Sequence, residues 1–299
     1  MAFFEEAGVP LKVERGRRVF PCSDRASDVT DCLTRLCREA GVRVLHGRAK
    51  ALRITDGAVC GVDYGDARGE MRFCAARAVI LACGGASYPR TGSTGDGYAL
   101  AAGAGHTIRP PQPSLVPLVS ADPLCHACMG LALRNVRLSF YAQDGKLLYS
   151  EQGEMLFAHF GITGPVVLSA SAHLKGRYPC RCAIDLKPAL DAETLDRRLQ
   201  REFAVASRRA LANVLGTLLP ASMIEPFLRR GGFDGAKQAC TVTKKERAAI
   251  GALLKNLSFR IDGTRPIEEA IVTSGGVAVG EINPSTMESK KAAGLYVVG

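Results

Sequence analysis

The chain has 299 residues, with 39 Lys plus Arg against 29 Asp plus Glu, a formal net charge of +10 and 47% hydrophobic residues. That length fits about two domains, and the apolar fraction excludes a disordered chain and a small disulfide-stapled scaffold. The longest apolar run, residues 78–83, is far short of the ~20 needed to span a bilayer, and Glu5 and Glu6 replace the basic start of a signal peptide. The eleven cysteines are irregularly spaced, so reduced thiols in a cytoplasmic compartment are expected. The charge is concentrated in residues 191–255, where 12 basic and 7 acidic groups leave +5. A solvated helical face is the plain reading of that stretch, and a nucleic-acid surface acting through Arg197, Arg198, Arg208 and Arg209 is the alternative.

In chain order, residues 27–40 read as a helix, with Val29, Leu33 and Leu36 on one face and Gly41 as its stop. Residues 42–45 read as a short strand. Residues 49–55 and 58–64 alternate around Asp56-Gly57, a hairpin signal. Residues 71–74 give a weaker strand, and the apolar run 78–82 leads into Gly84-Gly85 as a buried parallel strand would. A helix is expected over 96–104. Pro110, Pro111, Pro113 and Pro117 then mark a change of composition. A second hairpin is expected over 134–149, turning at Asp144-Gly145, followed by a helix over 165–172 and a strand over 180–186. Residues 191–257 turn helical, and Thr243-Lys244-Lys245-Glu246 has the form of a capping box. Residues 270–273 and 295–298 return to strand character. Strand-rich α/β sequence therefore lies at both ends, around a β-rich and then helical insertion, which predicts that the two end segments meet in one sheet.

The richest chemistry lies where that buried run feeds Cys83-Gly84-Gly85-Ala86-Ser87-Tyr88-Pro89-Arg90-Thr91-Gly92-Ser93-Thr94-Gly95-Asp96-Gly97. Glycines allow close backbone approach and positive φ, and a helix start offers free N–H groups to anionic or carbonyl oxygens. The block lacks the Lys and Ser/Thr of a phosphate-binding loop and the final Gly of a nucleophile elbow. Cys125-His126-Ala127-Cys128 looks metal-like, but no second pair stands at zinc spacing, and no metal site is expected. His159, in Glu154-Met155-Leu156-Phe157-Ala158-His159-Phe160-Gly161-Ile162-Thr163-Gly164-Pro165, is either a proton donor near a ligand or a hinge residue. No catalytic acid or base can be assigned.

Four blocks carry a family resemblance. They are Arg17-Arg18-Val19-Phe20-Pro21-Cys22-Ser23-Asp24-Arg25-Ala26-Ser27-Asp28-Val29, the glycine block, the His159 block, and Gly263-Thr264-Arg265-Pro266-Ile267-Glu268-Glu269-Ala270-Ile271-Val272-Thr273-Ser274-Gly275-Gly276-Val277 with Glu281-Ile282-Asn283-Pro284 behind it. On these the chain resembles the aminoacetone oxidase-like, BaiN-like (YhiN) flavoproteins. The resemblance implies an α/β fold: a split Rossmann-like FAD-binding domain over 1–112 and 262–299, interrupted by an insert over 113–261. The insert would be a β-barrel over about 113–190 and a helical subdomain over about 191–257.

The resemblance also implies FAD, a small organic substrate undergoing amine oxidation or enoyl-type reduction, and NAD(P)H or oxygen as redox partner. The cofactor side would comprise Ala49, Cys83, Gly84, Gly85, Thr91, Gly92, Ser93, Thr94, Gly95, Asp96, Gly97, Thr273, Gly275, Gly276 and Gly299. Cys83 stands where Thr is common. Family members begin with a βαβ phosphate-binding unit and continue beyond the position of Gly299, so the expectation is the middle of such a flavoprotein. A fold remnant that holds no FAD alone is the rival.

Overall fold

The computed structural model describes residues 1–14 and 18–298. The chain forms two compact units, Met1–Ala51 with Gly61–Ala75, and Leu52–Cys60 with the chain from Ala76 onward.

The first unit opens with helix α1 (Ala2–Glu6) and a hairpin of β1 (Leu11–Glu14) and β2 (Arg18–Pro21). Arg17 of the first family block lies outside the described residues. Helix α2 (Ala26–Glu39) follows the expected periodicity, yet Cys32 is its one buried residue. Residues 42–45 form no strand. Val42, Val44 and Leu45 are exposed and lack a ladder partner among the described residues: apolar alternation alone does not make a strand without a neighbour to receive its N–H groups. Strands β3 (Gly47–Thr55), β4 (Ala58–Asp66) and β5 (Met71–Ala75) form a sheet in that order. Asp56 and Gly57, both at positive φ, make the tight turn that their sequence announces.

In the second unit, β6 (Val79–Leu81) precedes α3 (Asp96–Gly103) and β7 (Ile108–Ser114). The barrel and its covering helices follow: β8 (Leu118–Val119), α4 (Pro123–Ala127), β9 (Ala132–Tyr141), β10 (Leu147–Ala158), β11 (Gly161–Thr163), α5 (Pro165–Leu174) and β12 (Cys180–Asp185). Helices α6 (Ala192–Val205), α7 (Leu211–Leu215), α8 (Ala221–Gly231) and α9 (Lys244–Lys255) come next. The last elements are β13 (Leu257–Ile261), β14 (Gly263–Thr264), β15 (Val272–Val277) and β16 (Leu295–Val297).

The large antiparallel sheet has the order β13-β12-β9-β10-β11-β8-β14. One stretch of chain supplies both of its ends. β13 pairs with β12, Asp262 donates its N–H to Val119, and β14 pairs with β8. The sheet therefore closes on itself as a barrel. Alternate inward residues such as Leu138, Phe140, Met155, Phe157, Ile184 and Phe259 fill it. Helix α9 begins with the expected capping box, Thr243 and Glu246 each satisfying the other's backbone. Its buried Ile250 and Leu254 join the same core as Leu195 and Leu199 of α6.

The path into and out of this barrel is a two-stranded ribbon. β7 pairs antiparallel with β15, placing Thr273 opposite Pro113 and Ser274 opposite Gln112. The three prolines of β7 are tolerated because the ribbon leaves one side of that strand without a ladder. Beyond the ribbon, β16 pairs parallel with β6, so chain from the two ends of the sequence meets in one sheet. Leu81 and Leu295 are buried there, whereas Ile80 is 64% exposed. The apolar run that reads as fully buried thus has one covered face and one open face.

Candidate functional site

The carboxyl ends of the parallel strands β6 and β16 point the same way, and Val298 donates its N–H to Leu81 O (3.0 Å). Ligands of open α/β sheets gather at such carboxyl ends. Here the chain leaves buried Leu81 and comes to the surface at Ala82, Cys83 and Gly84.

Thr273 of β15 holds the glycine block in place. Its Oγ1 accepts the N–H of Ala86 (2.9 Å) and of Ser87 (3.0 Å), and it shares a third hydrogen bond with Ser87 Oγ (3.1 Å). Gly85 permits this: a Cβ built on Gly85 would fall onto the Thr273 hydroxyl. Gly276 makes room in turn for Tyr98, whose ring would lie 2.9 Å from a Cβ there. The ribbon register shifts between Ser274 and Gly276, where β7 carries one residue more than β15, and Gly275, at φ +98°, lies against the Pro110 carbonyl there. Segments 83–98 and 273–276, far apart in sequence, therefore form one continuous wall.

The remaining expected cofactor residues fall as follows. Gly84, Gly92 and Gly95 have positive φ; Gly95 precedes α3 and donates to Gly85 O (3.1 Å). No side chain caps that helix start, and Asp96 stands in its first turn. Ser93 lies beside Gly84. Thr91 is exposed, and its hydroxyl donates to Tyr88 O (2.7 Å). Thr94 is exposed and donates its N–H to Gly92 O. Gly97 is buried and lets Cys83 pack against α3. Ala49 belongs to the first unit, half-buried on β3. Gly299 lies outside the described residues.

Tyr98 and Ser87 complete the wall and were not singled out in the sequence. The available signal was spacing: Tyr98 follows Gly95 by three, one helical turn on, so its ring falls back over the glycines.

The wall meets the physical demands of a flavin site. Gly92 leaves open space where a Cβ would stand, and the Thr273 hydroxyl pins the backbone of Ala86 and Ser87. Those properties let a flat ring and a polyhydroxyl chain lie along backbone.

Elsewhere, a Ser–His–Glu row appears that spacing did not reveal. Buried His106 places Nε2 2.8 Å from Ser289 Oγ and Nδ1 3.1 Å from Glu281 Oε2. Ser289 is itself buried and accepts the N–H groups of Lys291 and Ala292. Its hydroxyl is thereby committed to the fold and is no exposed nucleophile. His159 is exposed at the turn between β10 and β11, edge-on to Phe160, with Arg265 stacked on that same ring. Glu269 lies below the ordinary carboxylate range, chiefly through its hydrogen bond from Arg265, with His159 adding a smaller pull.

Burial pushes Cys125, Cys128 and Cys180 up to about 11, so these thiols stay protonated and unreactive at neutral pH. Among the described residues no group of three or more His, Cys, Asp or Glu is arranged to hold a metal ion. Among them, too, no helix is long and apolar enough to cross a membrane.

Comparison with known proteins agrees with this architecture. Residues 112–272 match the HI0933-like protein barrel and H2TH domain, which begins and ends at the paired strands of the ribbon. The whole chain is 30% identical to a 3-dehydro-bile acid delta(4,6)-reductase of Clostridium scindens, spanning 72% of that protein. Ribosomal RNA dihydrouridine synthases are similar as well. That of Escherichia coli is 28% identical over 93% of this chain and 66% of its own length. That of Haemophilus influenzae is 30% identical over 74% of this chain and 53% of its own length. The chain thus spans between about half and three-quarters of the length of these relatives. On that domain match and on 30% identity over the whole chain, the chain belongs to the HI0933-like flavoprotein family, the BaiN-like and YhiN-like group.

Proposed function

We propose that the protein serves FAD-dependent reduction of a carbon–carbon double bond in a conjugated ring. The observation that carries this reading is the Thr273 hydroxyl fixing the Ala86-Ser87 backbone in the glycine-rich chain at the carboxyl ends of β6 and β16. Reduction is favoured over amine oxidation because the relatives' names describe one kind of chemistry. A delta(4,6)-reductase and a dihydrouridine synthase each saturate a ring double bond.

Bound flavin would supply hydride-transfer chemistry at its ring. The chain's residues bind and orient. Gly92 offers bare backbone to the ring edge, Gly84 and Gly85 bring Ser93 and Thr273 close against the same stretch, and Gly275 and Gly276 form the opposite side. The uncapped start of α3 presents N–H groups. Asp96 beside it suits a hydroxyl-bearing chain better than a phosphate, because a carboxylate accepts from hydroxyls and repels an anion. Cys83, Ser93, Thr91 and Thr94 add short polar groups along the same path. In this reading the ribbon marks where the insert joins the flavin-binding part.

The test is the visible absorption of the purified chain after incubation with FAD and removal of free flavin. A retained spectrum with shifted bands is expected. A folded but colourless protein would overturn the reading for this chain alone.

The charge pattern of the helical region favours a second reading in which the ring belongs to RNA. Eight of the twelve cations in 191–255 have an acidic partner within 4 Å: Arg197, Arg198, Arg201, Arg229, Arg230, Lys237, Arg247 and Lys255. Arg208, Arg209, Lys244 and Lys245 are exposed, and among the described residues none of them has an acidic group within 4 Å. Backbone bonds from Cys240 to Ser207 and from Ala239 to Arg209 bring the two pairs to the same end of the subdomain. Four exposed cations can displace about four counterions from a phosphate backbone. Reversing all four to Glu should flatten the salt dependence of binding to a ribosomal RNA fragment by about four in log–log slope. Reversing the ion-paired Arg197 and Arg229 instead should change it little. Equal salt slopes for the fourfold variant and the wild type would refute the RNA reading and leave a small-molecule ring.

A further inference from the structure

Resting on the flavin-site reading, we infer that Tyr88 is a stacking residue for the flat conjugated ring of the molecule to be reduced. Tyr88 sits in the left-handed region at φ 50°, ψ 57°, immediately before Pro89. That conformation strains a side-chain-bearing residue and is usually left to Gly, Asn or Asp. The neighbours enforce it. Ala86 and Ser87 are fixed to Thr273 on one side. On the other, Thr91 gives both its N–H (2.8 Å) and its hydroxyl (2.7 Å) to the Tyr88 carbonyl.

Glycine would meet the backbone requirement without strain, and the glycine-rich sequence around it shows no shortage of that solution. The tyrosine side chain does little for the fold: the residue is 49% exposed, and among the described residues its ring stacks on no aromatic or cationic group. Tyr98, ten residues on, shows the contrast, since its ring is packed against Gly95 and Gly276. A strained position kept for an unpacked aromatic beside a cofactor wall marks a ligand contact. A tyrosine face recognises flat π-systems, a property shared by a dienone steroid ring and a uracil.

Three proteins decide the matter: wild type, Tyr88→Gly and Tyr88→Phe, each incubated with FAD. Thermal melting is measured, together with equilibrium binding of two probes, a 3-oxo-4,6-diene steroid and a short uridine oligonucleotide. Tyr88→Gly should melt about 2 °C higher, retain as much flavin as wild type, and bind one of the probes about tenfold more weakly. Tyr88→Phe should match wild type in all three. Which probe responds identifies the source of the ring. A lower melting temperature for Tyr88→Gly would show that the ring holds the fold and would overturn the inference. So would unchanged binding of both probes, or wild-type protein that holds flavin and binds neither. Wild type that retains no flavin would instead refute the site on which the inference rests.

Discussion

Gly85→Val should strip the protein of flavin while leaving the barrel folded. The added side chain falls onto the Thr273 hydroxyl, so Thr273 must give up the N–H groups of Ala86 and Ser87 and its bond with Ser87 Oγ. Two partly buried donors lose their acceptor, and a tight contact becomes an overlap, for a combined cost of about 2–4 kcal/mol. The loss is local. The barrel core around Phe140 and Phe157 does not include Gly85, so far-ultraviolet circular dichroism should survive while retained flavin drops below about a tenth of wild type. Gly103→Ala is the control. It lies at the end of α3 with open space where its Cβ would go, and it should leave flavin retention intact and stabilise by up to about 1 kcal/mol. Wild-type retention by a folded Gly85→Val protein would refute this placement of the site.

His106→Ala should lower stability at neutral pH by about 3 kcal/mol, a fall in melting temperature of about 6–12 °C. The imidazole is buried and bridges Ser289 and Glu281, so its removal leaves a void and a buried Ser289 hydroxyl without its ring partner. The same cluster sets an acid limit. The N–H of Thr107 first, then the Lys291 ammonium, with the Thr107 hydroxyl and His106 adding to them, hold the Glu281 carboxyl down at about 2. A carboxyl whose folded value lies below its unfolded value stabilises the fold above about pH 4.5. That contribution is lost as pH falls toward 2. Glu281→Gln should therefore melt below wild type at pH 7, and the two curves should converge by about pH 2.5. A constant difference between them across that range would show that Glu281 does not titrate as the geometry requires.

The features that could be read in the sequence were those in which neighbouring residues decide the outcome. Asp56-Gly57 makes its hairpin because both residues tolerate positive φ, and Thr243 with Glu246 starts α9 because each satisfies the other's backbone. The glycine block was legible as a place of close approach, but what approaches was not. Gly85 yields to Thr273, 188 residues away, and Gly276 to Tyr98, 178 residues away in the other direction. Residues 42–45 failed as a strand for the same kind of reason, since pattern is local and a ladder partner is not. The Ser–His–Glu row spans Ser289 to His106, and no spacing rule reaches across an inserted barrel.

The β7–β15 ribbon gives this molecule a history as well as a shape. Gln112 and Ser274 face each other, so everything between them leaves and returns through one doorway two strands wide. A genetic insertion at that point would have lengthened the chain greatly while separating the flanking residues by no more than the width of a ladder rung. The same doorway allows a barrel of different surface to be exchanged by recombination without disturbing the Thr273 anchor one residue away.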